Sequence, residues 1–135
     1  FLNTHVEKQS DLTISCLEVE KKFAHELGVA EVDSEMRIVA FHEKAKNPPE
    51  IPGKPGWCFA SMGVYAFGTE ILVREVVRDA KRQSAHDFGK NIIPEMVKTH
   101  RVYTYNFAAT KWGNYWREIA NQTSDRFRLR YHSLR

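Results

Sequence analysis

One stretch leaves this chain little choice of structure: Trp57 to Phe67, WCFASMGVYAF. Apolar, β-branched and aromatic residues run through it with only small residues between. Such a run suits a strand covered on both faces, as in the middle of an α/β sheet. Ser61, followed by Met62 and Gly63, interrupts it. A hydroxyl beside a bare backbone in a dry strand lets a ligand come close. A satisfied core serine next to a packing glycine is the plainer alternative.

The segments on either side fit an α/β fold. Phe1 to Gln9 reads as the end of a helix, and Asp11 to Val19 alternates as a strand. Lys21 to Leu27 is a short helix or turn, with Gly28 placed to cap it. Val29 to Val32 and Arg37 to Glu43 form two short strands around the turn Asp33-Ser34-Glu35. Asn47 to Gly56 holds four of the five prolines and reads as a stiff, irregular loop. After the central strand, Thr69 can N-cap a helix to about Ala80, with Ile71, Leu72, Val73, Val76 and Val77 facing inward. A second helix opens at His86 or Asp87 and runs to about Lys98, burying Phe88, Ile92, Ile93, Met96 and Val97. Pro94 inside it demands a kink or an irregular first turn. Arg101 to Phe107 alternates as a strand, and Trp112 to Ala120 is a helix or capping loop. Together these predict a mixed, mostly parallel sheet flanked by helices, in a domain over residues 1–120 with a divergent tail over 121–135.

At 135 residues, 42% of them hydrophobic, the chain is one domain or a large piece of one. Its apolar runs are too short to span a membrane. Phe1 to Ser10 lacks the basic start and apolar middle of a signal peptide. Cys16 and Cys58 stand alone in apolar strand patterns, which fits buried free thiols in a reducing cytoplasm. The net charge of +3 comes entirely from Ser124 to Arg135, which hold four Arg against one Asp. The body is neutral and offers no basic face for nucleic acid.

Three places can carry chemistry. Glu43-Lys44 closes a strand, where ligands bind in open α/β sheets. Lysine supplies a mobile point charge suited to phosphate, and the carboxylate beside it can accept sugar hydroxyls. A solvated strand end is the plainer reading. Gly28 enters a strand and could offer an unobstructed amide, or serve simply as a cap. In His86-Asp87-Phe88-Gly89-Lys90, Asp87 is a good helix cap. Adjacent side chains on a helix do not face each other, so capping and packing suit this pair better than acid–base work. No G-x-S-x-G, phosphate-binding Gly-rich loop, H-E-x-x-H or paired C-x-x-C is present, and the scattered histidines give zinc little support.

Taken in order, LGVAEVD, RIVAFHEKAKNPPEIPGKP, FASMGVYAF, SAHDFGKNIIPEMV, RVYTYNF and YWRE resemble the bacterial glucose-1-phosphate adenylyltransferases (ADP-glucose pyrophosphorylases) over about Asp11 to Glu118. FASMGVY and HDFGKNIIP are the most specific phrases. The E-K pair recurs across sugar-nucleotide pyrophosphorylases in general. The resemblance implies a partial Rossmann-like nucleotidyltransferase domain and a reaction in which ATP and α-D-glucose 1-phosphate give ADP-glucose and pyrophosphate, with Mg²⁺, in the cytoplasm and toward glycogen. It implies that Gly28, Glu43, Lys44 and Ser61 hold the sugar phosphate, and that Glu118 stands where the family has a metal-binding aspartate. It also implies a homotetramer for the full-length family, and leaves room for a fragment to self-associate through an uncovered strand.

The departures are Ala45 where the family has proline, and Trp116-Arg117-Glu118-Ile119-Ala120-Asn121 where it has W-R-D-V-G-T. The family's G-G-x-G-x-R-L loop and its left-handed β-helix have no counterpart in these 135 residues. The expectation is therefore a sugar-binding half site, inactive in isolation. Another NDP-sugar pyrophosphorylase, or a non-catalytic module keeping the sugar-phosphate site, are the competing readings.

Overall fold

The computed structural model describes residues 1–107. Trp112 to Ala120, Glu118 within it, and the basic tail lie outside the described residues. The order is α1 (Leu2–Glu7), β1 (Leu12–Glu20), α2 (Lys21–Ala24), β2 (Gly28–Val32), β3 (Ile38–Glu43), β4 (Trp57–Phe67) and α3 (Thr69–Ala80). A π-helical turn (Phe88–Ile92), α4 (Ile93–Thr99) and β5 (Val102–Asn106) complete it. The five strands form one sheet in the order β3-β2-β4-β1-β5.

The α/β class and the mixed sheet agree with the sequence reading, but the parallel majority does not. Only β1–β5 is parallel; β1–β4, β2–β3 and β2–β4 are antiparallel. The tight Asp33 turn forces the hairpin: its Oδ1 accepts from the amides of Glu35 (2.9 Å) and Arg37 (3.0 Å). The two edges of the sheet also meet at one end. Arg37 bridges to Tyr103, and the Thr104 amide donates to Met36 O at 3.0 Å.

β4 lies mid-sheet with β1 paired along most of one side, while β2 pairs with it only at Phe59 and Ala60 on the other. Its cover is less complete than its sequence suggests. Cys58, Phe59 and Ala60 are buried, whereas Gly63 and Val64 are exposed. The cause is a bulge. Ile14 pairs with Tyr65 and Cys16 with Ser61, so Met62, Gly63 and Val64 together face Ser15. Gly63 has φ +71, a left-handed conformation that a glycine adopts without strain.

One face of the sheet packs on α4. Leu12, Ile14, Ile38, Ile93, Met96 and Val102 are almost fully buried in that layer. Each such side chain contributes about 1.5–3 kcal/mol by leaving water. On the other face α1 covers β1, where His5 Nδ1 and Thr13 Oγ1 lie 2.8 Å apart. That double cover explains why Leu12 to Cys16 are all buried despite their alternating sequence.

Several local expectations need correction. α2 ends at Ala24 and Gly28 starts β2 without a left-handed φ, so it is no helix cap. Gly68, not Thr69, is the N-cap of α3. The larger departure is the orientation of α3. Val73, Val76 and Val77 are exposed (57%, 39% and 47%), while Glu75 and Asp79 are buried. Ile71, Glu75 and Asp79, four apart, make the inner face. The carboxylates find partners there: Glu75 lies near Arg74, Arg78 and His100, and Asp79 near Arg82, Ser84 and His86. Paired charges tolerate burial, so the polar stripe wins the inner side over the valines.

Candidate functional site

The strand register gathers three of the four sugar-site candidates into one row. Gly28 pairs directly with Glu43. The β2–β4 register, Val29↔Ala60 and Ala30↔Phe59, carried one residue further brings Gly28 level with Ser61. Residues directly opposite across antiparallel strands project from the same face. Glu43, Gly28 and Ser61 therefore line one face across β3, β2 and β4.

The glycine at position 28 has a steric cause. A Cβ there would lie 2.7 Å from Phe41 Cζ and 2.8 Å from Glu43 Oε2. Gly89 repeats the pattern: its Cβ would come within 2.7 Å of the same Oε2 and 3.4 Å of Asp87 Oδ1. Two bare backbones thus flank the Glu43 carboxylate, one from β2 and one from the π-helical turn. Gly89 was not singled out from the sequence. Its signal was a glycine directly after the aromatic of HDFGK, in a stretch read for the Asp87 cap, the His86–Asp87 pair and the family resemblance.

Lys44 follows β3 with φ +51, and its amide donates to Leu27 O at 3.1 Å. Lysine seldom takes that conformation. It breaks the alternation that would turn two consecutive strand side chains to opposite faces. The ammonium is exposed and forms no ion pair among the described residues. Ser61 Oγ accepts from the Gly63 amide at 3.2 Å, which leaves its own proton to donate.

The turn beside Glu43 is built from the HDFGK motif. Asp87 acts as the expected cap, Oδ1 accepting from the Lys90 amide at 2.9 Å. His86 and Asp87 do not pair with each other. His86 instead reaches Asp79. Phe88 stacks on Tyr65 with ring centres 5.9 Å apart, and Phe67 lies 5.8 Å from Phe88. The irregular first turn demanded by Pro94 is the π-helical segment itself, and Pro94 stands in the first turn of α4. Ile92, Ile93, Met96 and Val97 are buried as expected. π-helical turns recur at functional sites.

Both cysteines are free and fully buried. Burial pushes the Cys16 thiol up to about 12, against a small opposing effect of the Thr104 hydrogen bond. Among the described residues no three His, Cys, Asp or Glu side chains come together to hold a metal. The Mg²⁺ expectation rests on Glu118, outside those residues. No described helix is long and apolar enough to cross a membrane.

The described residues thus form a mixed sheet with a Glu-Lys strand end beside a capped π-helical turn. The profile of the Nucleotidyl transferase family matches residues 1–124, and the chain belongs to that family. Within it, the chain is 43% identical over 124 residues to glucose-1-phosphate adenylyltransferase 1 of Vibrio parahaemolyticus, covering 87% of this chain and 31% of that protein. It is 45% identical over 127 residues to glucose-1-phosphate adenylyltransferase of Shewanella sp. strain ANA-3, covering 91% and 30%. The corresponding protein of Methylococcus capsulatus is 42% identical over 123 residues, 89% and 29%. The chain therefore spans less than a third of the length of these relatives.

Proposed function

We propose that this chain supplies the sugar-phosphate side of an enzyme that makes ADP-glucose and pyrophosphate from ATP and α-D-glucose 1-phosphate. The observation that carries the reading is the row Glu43–Gly28–Ser61 across three strands, with Lys44 next in sequence to Glu43. In this reading the Lys44 ammonium takes the phosphate as a point charge. The Glu43 carboxylate accepts sugar hydroxyls, Ser61 donates to one, and the Gly28 backbone lets the hexose approach.

The reaction needs little covalent work from the protein. A phosphate oxygen of the sugar forms a bond to the α-phosphorus of ATP, and the bond from that phosphorus to the bridging oxygen of the β-phosphate breaks. Pyrophosphate leaves. Catalysis then rests on alignment and charge stabilisation. Mg²⁺ would be held together with the substrate phosphates and Glu118, by the family resemblance, and no step is assigned to it. ATP would be gripped by parts of the enzyme beyond this chain. A reducing cytoplasm suits two buried thiols, and a homotetramer is the assembly we propose for the complete enzyme.

Calorimetric titration with glucose 1-phosphate tests the site. Losing a hydrogen bond to a charged group costs about 1.5–3 kcal/mol, so Lys44→Ala should weaken binding by about ten- to a hundredfold. Equal affinity in the variant and the unaltered chain would refute the assignment. Pyrophosphate release on adding a polypeptide that carries the family's Gly-rich loop, and none without it, would support adenylyl transfer over simple binding.

A further inference from the structure

The end of α3 carries a buried carboxylate that the reading above does not use. Asp79 is 2% exposed. Ser84 Oγ lies 3.0 Å from both of its oxygens, and His86 Nδ1 lies 2.8 Å from Oδ2. The His86 amide in turn donates to Ser84 Oγ at 3.1 Å. The carboxylate needs the proton on Nδ1, so it fixes both the tautomer and the direction of the ring. His86 also has φ +54, a conformation costly for a residue with a Cβ. Three hydrogen bonds hold the chain in that conformation, and the next residue opens the π-helical turn.

From there the connection is short. Asp87 caps the turn through the Lys90 amide, and its carbonyl accepts from the Asn91 amide at 2.9 Å. Its amide donates to Asn91 Oδ1 at 3.2 Å. Two residues beyond His86, Phe88 stacks on Tyr65. One further on, the Gly89 backbone lies against Glu43 Oε2. A displacement of His86 would therefore reach the carboxylate placed on the sugar hydroxyls.

We infer that Asp79 and His86 are positioning residues: the Asp79–His86 hydrogen bond holds the Phe88–Gly89 turn against Glu43 and so sets how tightly this site grips a hexose phosphate. The inference rests on the sugar-phosphate reading. It adds two residues that touch no substrate but decide where a substrate-touching group stands.

Two measurements on the full chain test it. In calorimetry with glucose 1-phosphate, His86→Ala should raise the Kd about tenfold or more, as small displacements at remote supports do. His86→Asn should restore most of the affinity, because its amide can donate to Asp79 and asparagine tolerates a left-handed φ. Asp79→Ala should behave as His86→Ala, and the double variant should be no worse than either single one. Val102→Ala, in the core at the opposite edge of the sheet, should lower stability and leave the Kd unchanged.

In hydrogen exchange, His86→Ala should lose protection at the Lys90, Asn91 and Ile92 amides, and His86→Asn should regain it. Protection unchanged in His86→Ala overturns the inference whether or not sugar phosphate binds. So does binding by His86→Ala equal to that of the unaltered chain, or a loss in His86→Asn as large as in His86→Ala. No binding by the unaltered chain, with protection lost as expected, overturns the sugar-phosphate reading and leaves the anchoring of the turn standing.

Discussion

The two thiols show how local surroundings set a residue's chemistry. Cys16 and Cys58 are both fully buried, and burial raises both pKa values. Thiolates, not thiols, attack disulfide reagents. A colorimetric disulfide reagent at neutral pH should therefore label neither cysteine in the folded chain, and both after denaturation. The stability consequence has a definite sign. The folded state holds the Cys16 proton more tightly than the unfolded state, so this contribution is complete below the ordinary thiol range. It is lost as pH rises toward about 12. Urea midpoints measured across the alkaline range should fall, and Cys16→Ala should flatten that fall. Buried lone cysteines were legible in the sequence because both sat in apolar strand patterns. The use of Gly28 was legible only in part. Its φ is ordinary, and the reason for its bareness, Phe41 and the Glu43 carboxylate, belongs to a strand more than ten residues away.

The elements were read most reliably where neighbours in sequence decide the structure. The Asp33 turn, the Pro-rich loop and the irregular turn before Pro94 follow from local chemistry, and each appears where expected. β4 was placed with both its ends correct. Its bulge was not foreseen, because a bulge is a mismatch of length against a partner strand. Gly63 sits in that bulge at φ +71, and among the described residues no atom beyond its two chain neighbours lies within 4 Å of where its Cβ would be. A larger residue there meets backbone strain and no clash. Gly63→Ala should lower unfolding free energy by about 1–2 kcal/mol in a urea titration, with Gly63→Val costing more. The inner face of α3 was misread for a related reason. Counting valines gives an apolar stripe, but the buried side is fixed by partners for Glu75 and Asp79 that come from His86, Ser84 and His100. Those partners cannot be found from the helix alone.

At the level of the assembled fold, class and family were legible because short phrases such as HDFGK and FASMGVY carry both the packing and the site. Strand direction was not. A continuous apolar run such as that of β4 usually marks a parallel strand, yet β4 is antiparallel to both of its neighbours, because the run reports cover on the faces and not the direction of the strands beside it. Among the described residues α3 carries three exposed valines, against the single exposed Val64 of β4. Val73, Val76 and Val77 form an exposed apolar stripe of the kind that promotes association. Sedimentation should show self-association that rises with protein concentration. Val73→Gln with Val77→Gln should reduce it while leaving the helical circular dichroism unchanged. Association equal in both would place the contact elsewhere.

β1 is flanked by β4 and by β5, and the far edges of the sheet touch through Arg37 and Tyr103. During synthesis β1 therefore keeps one side open until β5, almost ninety residues later, has been made. Partners so distant along the chain are slow to meet, and an unfinished chain offers its bare edge to other nascent chains. A polypeptide halted before Val102 would pair Leu12 to Cys16 with β4 alone and leave the β5 side open. Synthesis past that point is what completes the sheet.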